Sequence, residues 1–146
     1  MINLILSLLF SMTTVTLPGW TTNMNAARKT AKKENKYILL NFSGSDWCIP
    51  CMKLEQDIFN SADFIKYADN NLILVNADFP RKSKSQLSKE QQKLNDAVAD
   101  KYNPQGSFPL TLLLDADGNK MKVWDGYYKD GPQKFIAEIN DIIKKK

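Results

Sequence analysis

The two cysteines of this chain, Cys48 and Cys51, are separated by two residues and are the only cysteines in the sequence. This spacing suits a redox-active dithiol, half of a zinc site or a short structural disulfide. Zinc requires four ligands, usually cysteine or histidine, and the chain has no histidine and no second cysteine pair. A disulfide that closes so short a loop stabilises a fold only weakly. The pattern therefore favours redox chemistry, without a metal.

The position of the pair on a predicted helix indicates different roles for the two thiols. Pro50 and the apolar residues after it predict a helix from about Cys48 to Phe59, because proline is tolerated in a first turn. Cys48 would lie at the N-terminus, where free backbone N–H groups and the helix dipole stabilise a thiolate. Cys51 would lie one turn further in, covered by the helix. We therefore expect Cys48 to attack a substrate disulfide and Cys51 to resolve the mixed disulfide.

The elements around the dithiol predict one α/β domain. A length of 146 residues with 43% hydrophobic content is enough for a single core without help from disulfides. Apolar runs predict strands at residues 37–42, 72–77, 110–114 and 120–124. Periodic patterns predict helices at residues 25–35, 48–59, 62–68, 88–102 and 132–143. Ser61 and Ser88 are candidate N-caps for two of these helices.

Two motifs, in this order, resemble those of the thioredoxin-like family. The strand at 37–42, followed by Asp46, Trp47 and the Cys-Ile-Pro-Cys segment, is similar to the active-site strand, loop and helix of that family. The segment 106–109, Gly-Ser-Phe-Pro, leads into an apolar strand and an Asp-Gly turn, which is similar to its second hallmark. The resemblance covers residues 31–143. It implies a thioredoxin fold, with a central mixed sheet, helices on both faces and a helical insertion at 79–102 before the proline-led strand.

The resemblance also implies a substrate-binding set of Trp47, Phe108 and Pro109. In the family the proline is cis and lies opposite the dithiol, whereas base rates alone favour a trans bond. A cis Pro109 would leave the backbone of Phe108 free to pair with an extended substrate peptide by strand addition. Trp47, beside Cys48, is expected to be a packing wall and a peptide-contact surface.

Asp46-Trp47-Cys48 and the lysine-rich insertion are similar to features of secreted bacterial thioredoxin-like proteins, some of them disulfide isomerase-like. They are also similar to the C-terminal domain of the membrane thiol reductase. The resemblance implies a thiol–disulfide oxidoreductase that acts on cysteine-containing proteins, with no cofactor beyond its own disulfide. Proline before the second cysteine is typical of reducing members, which indicates a reductase or isomerase. A membrane thiol reductase is a candidate upstream partner. The alternative is a non-catalytic binding module on the same fold.

The group that accepts the Cys51 proton is expected to be Glu55, Asp46 or water. Glu55 follows Cys51 by four residues, so it should share the covered helix face, with a raised pKa that suits a base. A similar glutamate occurs in the membrane-reductase domain. Thioredoxins proper place a buried aspartate near Asn41, and asparagine cannot transfer a proton as aspartate does. The alternative for Glu55 is a solvated helix position.

Charge and the N-terminal segment indicate where the protein works. Acidic residues interrupt the basic ones, Arg81 included, so the net charge of +4 indicates a solvated surface and not a nucleic-acid site. Residues 1–19 contain no charged side chain and resemble a secretory signal, too short to span a bilayer. We therefore expect a periplasmic or otherwise extracytoplasmic monomer with its domain at 20–146. An N-terminal segment that belongs to the fold is the alternative.

Overall fold

A computed structural model describes residues 19–146 of this chain. Apart from Gly19, the apolar segment predicted at residues 1–19 lies outside the described residues. Between residues 19 and 146, no helix combines the length and the apolar character that crossing a membrane would require.

A mixed five-stranded sheet forms the centre of the domain, in the order β1-β3-β2-β4-β5. Its strands are β1 (Trp20–Thr21), β2 (Tyr37–Ser43), β3 (Leu72–Asp78), β4 (Leu110–Leu114) and β5 (Lys120–Asp125). Strand β3 is parallel to β1 and β2, whereas β4 is antiparallel to both β2 and β5. The four predicted strands and the mixed sheet are confirmed. The two-residue β1 was not predicted.

The helices are α1 (Met24–Glu34), α2 (Ile49–Leu54), α3 (Ala62–Asn71), α4 (Lys89–Tyr102) and α5 (Pro132–Lys144), with a short 3-10 helix at Ser83–Ser85. The candidate caps are confirmed, since the hydroxyls of Ser61 and Ser88 accept from the backbone N–H groups of Phe64 and Gln91. All five helices were predicted, with bounds that differ by a few residues.

The helix predicted over 48–59 is not α-helical throughout. It becomes a π-helical turn at Glu55–Phe59, where the N–H of Asn60 donates to the carbonyl of Glu55 at 2.8 Å. The wider turn accommodates one extra residue. As a result two adjacent side chains, Ile58 and Phe59, are both buried in the core.

Helices cover both faces of the sheet, as predicted. Alternate residues of β2 point to opposite faces, so Ile38 and Leu40 belong to one core cluster and Leu39 to the other. The first cluster holds α1 and α4 against the sheet, and the second holds α2, α3 and α5. The dithiol therefore lies on a helix that is anchored to the sheet through the residues that follow it.

Candidate active site

Cys48 and Cys51 form a disulfide at the start of α2, with their Cα atoms 5.2 Å apart. Cys48 is the N-cap residue, and its Sγ accepts a hydrogen bond from the backbone N–H of Cys51 at 3.3 Å. The predicted position of Cys48 is thus confirmed. Each cysteine is only 4% exposed, so burial does not distinguish the two in the disulfide form. Their places on the helix distinguish them, because the N–H group at the helix terminus would stabilise a thiolate on Cys48.

A tight turn between β2 and α2 presents the disulfide. The carbonyl of Gly44 accepts from the N–H groups of Trp47 and Cys48, at 3.2 and 2.8 Å. The indole of Trp47 lies directly against the Cα of Gly44, and any Cβ at that position would overlap the ring. Glycine is therefore required by the close approach of the indole.

The same turn is held by the loop that follows β3. The indole N–H of Trp47 donates to the carbonyl of Phe79 at 2.7 Å. The two carboxylate oxygens of Asp46 accept from the backbone N–H groups of Arg81 and Lys82, each at 2.9 Å. The hydrogen bond from Arg81 is the main cause of a lowered pKa at Asp46, with that from Lys82 adding to it. Asp46 therefore anchors the loop and is a poor proton acceptor at neutral pH.

The segment before β4 packs against Trp47, the residue that precedes Cys48. The peptide bond between Phe108 and Pro109 is cis, which confirms the expectation from the family resemblance. The ring of Phe108 meets that of Trp47 edge-on, with centroids 5.4 Å apart, and that of Phe79 at 5.5 Å. The three residues expected to bind substrate, Trp47, Phe108 and Pro109, are thus brought together, and Trp47 directly precedes Cys48 in the sequence. Their contact with substrate remains a prediction.

The expectation that Glu55 is covered and desolvated is wrong, because its side chain is exposed. Glu55 starts the π-helical turn, and its backbone N–H donates to the carbonyl of Cys51. Its side chain lines a recess of about 250 Å³ together with Trp20, Asn41, Ser43, Ser45, Phe59 and Asn76. Glu55 is therefore one helical turn from Cys51, at a polar recess, and in contact with water.

The polar residues beneath the site form a neutral network across three strands. The amide of Asn41 donates to the side-chain oxygen of Asn76 at 3.1 Å, and the hydroxyl of Thr111 donates to Asn41 at 3.0 Å. Asn41 and Thr111 are 6% and 2% exposed. None of these three groups titrates near neutral pH. This buried position therefore offers no proton acceptor, in agreement with the expectation for Asn41.

Comparison with known proteins identifies the family. The model of a thioredoxin-like domain matches residues 24–143, most of the chain. This chain belongs to the thioredoxin-like family. Membership accounts for the order of the elements, the dithiol at the start of α2 and the cis-proline before β4.

Within the thioredoxin-like family, the chain is similar to a reductase. It is 31% identical over 114 residues to the disulfide bond reductase DsbH of Chlamydia pneumoniae. The matched region covers 78% of this chain and 66% of DsbH, so the chain spans slightly less than two thirds of that relative. A solved DsbH oxidoreductase superposes with a TM-score of 0.79 at 27% identity, covering 97% of this chain and 93% of that one.

A second solved structure shares the fold alone. The oxidised C-terminal domain of DsbD from Neisseria meningitidis has a TM-score of 0.54 at 21% identity, covering 80% of this chain and 90% of that domain.

Two features of this thioredoxin-like site were not found in the sequence. Asn76 is a polar residue within an apolar strand run, which is a weak local signal for a partner on a neighbouring strand. Arg81 was assigned to the solvated surface, yet its guanidinium carbon lies 3.6 Å from the centroid of the Trp47 ring. Arg81 is 34 positions after Trp47 in the sequence, so no local pattern could have indicated this contact.

The described part of the chain contains no group of three or more histidine, cysteine, aspartate or glutamate side chains arranged to hold a metal. The chemistry that the site offers is that of the Cys48–Cys51 pair itself. Oxidation and reduction of this pair transfer two electrons, which matches one substrate disulfide.

Proposed function

We propose that this protein is a thiol–disulfide oxidoreductase that reduces or isomerises the disulfides of protein substrates. The observation that carries the proposal is the hydrogen bond from the N–H of Cys51 to Sγ of Cys48 at the start of α2. An N–H group in this position stabilises the thiolate, which is the form of cysteine that attacks a disulfide. The similarity to the reductase DsbH supports the reducing direction.

The reaction begins with the reduced protein. The Cys48 thiolate attacks one sulfur of a substrate disulfide, so a mixed disulfide forms and the other substrate sulfur leaves as a thiolate. Cys51 then loses its proton and attacks Sγ of Cys48. The substrate leaves with both of its sulfurs reduced, and the Cys48–Cys51 disulfide holds the two-electron oxidation. A second, more reducing dithiol protein must then restore the thiols, and a membrane thiol reductase is the partner we propose.

The surface formed by Trp47 and the cis-proline segment is the proposed place for the substrate chain. Within residues 19–146, Phe108 makes no backbone–backbone hydrogen bond. Its N–H and carbonyl can therefore pair with an extended peptide whose disulfide lies over Cys48. The apolar N-terminal segment supports an extracytoplasmic location, where protein disulfides are found. We propose that the protein works there as a monomer and without an added cofactor.

Reduction of insulin tests the proposal. The purified protein should accelerate the precipitation of insulin by dithiothreitol, because Cys48 exchanges disulfides faster than an unactivated thiol. A control sample, reduced and then alkylated at both cysteines, should have no effect. If the untreated protein gives the same rate as the alkylated control, the chain is a binding module on the same fold. The reduction potential of the Cys48–Cys51 pair, measured alongside, would indicate the direction of exchange.

We further propose that Glu55 assists the second step, as a carboxylate one turn from Cys51 that accepts its proton directly or through water. Glu55→Gln should slow the resolution of a pre-formed mixed disulfide by about 10-fold, below the full effect of a positioned base because the side chain is exposed. Alkylation of Cys48 should be almost unchanged. Stopped-flow measurement of substrate release would give the resolution rate.

The control for this variant is Glu90→Gln, which removes one negative charge from an exposed position at the start of α4. It should resolve the mixed disulfide at the wild-type rate. Equal resolution rates in Glu55→Gln and wild type would assign Glu55 to the solvated helix surface and leave water as the proton acceptor.

A further inference from the structure

We propose that Arg81 is a specificity-determining residue that favours substrate disulfides with a carboxylate side chain next to the cysteine. This inference rests on the proposed function and specifies the class of substrate for the same site. The observation that carries it is the contact between the guanidinium of Arg81 and the ring of Trp47, the residue that immediately precedes Cys48.

The position of Arg81 is determined by its backbone. Its N–H donates to Asp46, and the neighbouring N–H of Lys82 donates to the other oxygen of the same carboxylate. The indole N–H of Trp47 donates to the carbonyl of Phe79, two residues before Arg81. Hydrogen bonds thus join the turn before the dithiol to the loop after β3 on both sides of the contact between Arg81 and Trp47. As a result, the guanidinium rests on a ring that is itself fixed.

The guanidinium of Arg81 is not held in an ion pair within the described residues. Among the described residues, no carboxylate forms an ion pair or a hydrogen bond with its guanidinium. The oxygens of Asp46 accept the backbone N–H groups of Arg81 and Lys82, and neither is bonded to the guanidinium. Arg81 is exposed, and stacking on the indole leaves the N–H donors at the edge of the guanidinium available.

The substrate must pass close to this cation. Its disulfide has to reach Cys48, and Arg81 rests on the ring of Trp47, the residue that precedes Cys48. The same ring meets that of Phe108 edge-on, at the residue where the substrate backbone is proposed to pair. An acidic residue beside the substrate cysteine would therefore lie near a guanidinium that is already ordered. Arginine binds carboxylates with two parallel hydrogen bonds, and little conformational freedom remains to be lost here.

Two disulfide-linked peptides that differ at one position test the inference. They are identical except that the residue next to cysteine is glutamate in one and glutamine in the other. Each enzymatic rate is divided by the rate with dithiothreitol alone, which corrects for any difference in the reactivity of the peptides. The wild-type protein should prefer the glutamate peptide by about 2- to 5-fold in kcat/KM, the range of an exposed ion pair. The preference should fall at ~1 M salt, where charges are strongly screened.

Three variants distinguish the effect of the Arg81 side chain from that of the net charge of the protein. Arg81→Gln should lose the preference for the glutamate peptide. Arg81→Lys should keep part of this preference, because lysine retains the charge without the planar stack. Lys84→Gln removes the same charge from another exposed position in this loop and should keep the full preference. The backbone hydrogen bond to Asp46 does not depend on the side chain of residue 81, so the variants should fold, which thermal unfolding would check.

The outcomes distinguish this inference from the proposed function. Equal normalised rates for the two peptides with the wild-type protein would overturn the role of Arg81 and leave the oxidoreductase activity standing. Equal slowing of the reduction of both peptides by Arg81→Gln would also overturn this role, because Arg81 would then act through Trp47 or the dithiol. If the wild-type protein reduced neither peptide and no insulin, the proposed function would fail, and this inference with it.

Discussion

Replacing Cys51 with serine is expected to leave a stable mixed disulfide between Cys48 and substrate proteins, whereas replacing Cys48 with serine should abolish exchange. Cys48 Sγ is the atom that accepts the helix N–H group, so only this thiol becomes a stabilised thiolate. Without Cys51, nothing within the protein can release the substrate. Without Cys48, turnover should fall on the order of 10³-fold or more, as for the loss of other covalent nucleophiles.

Alkylation followed by mass spectrometry measures which thiol is the nucleophile. In the reduced wild-type protein, iodoacetamide near neutral pH should label Cys48 well before Cys51, because a thiolate reacts and a thiol does not. The Cys51→Ser variant should retain this labelling and should form an adduct with a disulfide-containing peptide that only added reductant removes. Faster labelling of Cys51 would reverse the two roles.

Replacing Phe135 with alanine is expected to destabilise the domain by about 3–5 kcal/mol, the usual effect of removing a large buried aromatic side chain. Phe135 is 1% exposed, and its ring joins α5 to the aromatic cluster beneath the sheet. The centroids of Trp124, Tyr128, Phe64 and Phe59 lie 4.7, 5.1, 6.1 and 6.2 Å away. Phe59 belongs to the π-helical turn after α2, so the same cluster supports the helix that carries the dithiol.

Urea unfolding monitored by circular dichroism would measure this loss as a lower midpoint at an unchanged slope. Leu94→Ala is the matched control, since Leu94 is a large apolar residue on α4 that is 39% exposed. The change in this control should be within about 0.5 kcal/mol, as for most surface substitutions. A loss below about 1 kcal/mol in Phe135→Ala would mean that the aromatic cluster closes around the missing ring and that α5 does not depend on it.

The features that the sequence predicted correctly depend on short-range interactions. Pro50 in the first turn and the capping hydroxyls of Ser61 and Ser88 act within three or four residues of the helix starts that they indicate. The apolar runs of β2, β3 and β4 are visible because strands buried on both faces carry few polar residues. The cis bond before Pro109 came from resemblance to the thioredoxin-like family, since composition and periodicity carry no signal for it.

The environment of Glu55 could not be predicted in the same way. Helical spacing predicted that it would share the covered face with Cys51, and it does follow Cys51 by one α-helical turn, since its N–H donates to the Cys51 carbonyl. Its side chain is nevertheless exposed, at a recess that it lines together with residues of β1, β2 and β3. Whether a residue one turn from Cys51 is covered therefore depends on strands that are distant in the sequence.

The sequence by itself determined the residues on which the proposed chemistry depends: one dithiol, at the start of a helix, with Cys48 at the helix N-terminus. Only the tertiary structure decided what surrounds that dithiol. Asn41 and Thr111 are 70 residues apart and meet because β2 and β4 pair in one register, and a shift by one residue would separate them. Arg81 reaches Trp47 because the loop after β3 is tied to Asp46. Such contacts depend on strand pairing and on loop closure over tens of residues, which no local pattern encodes.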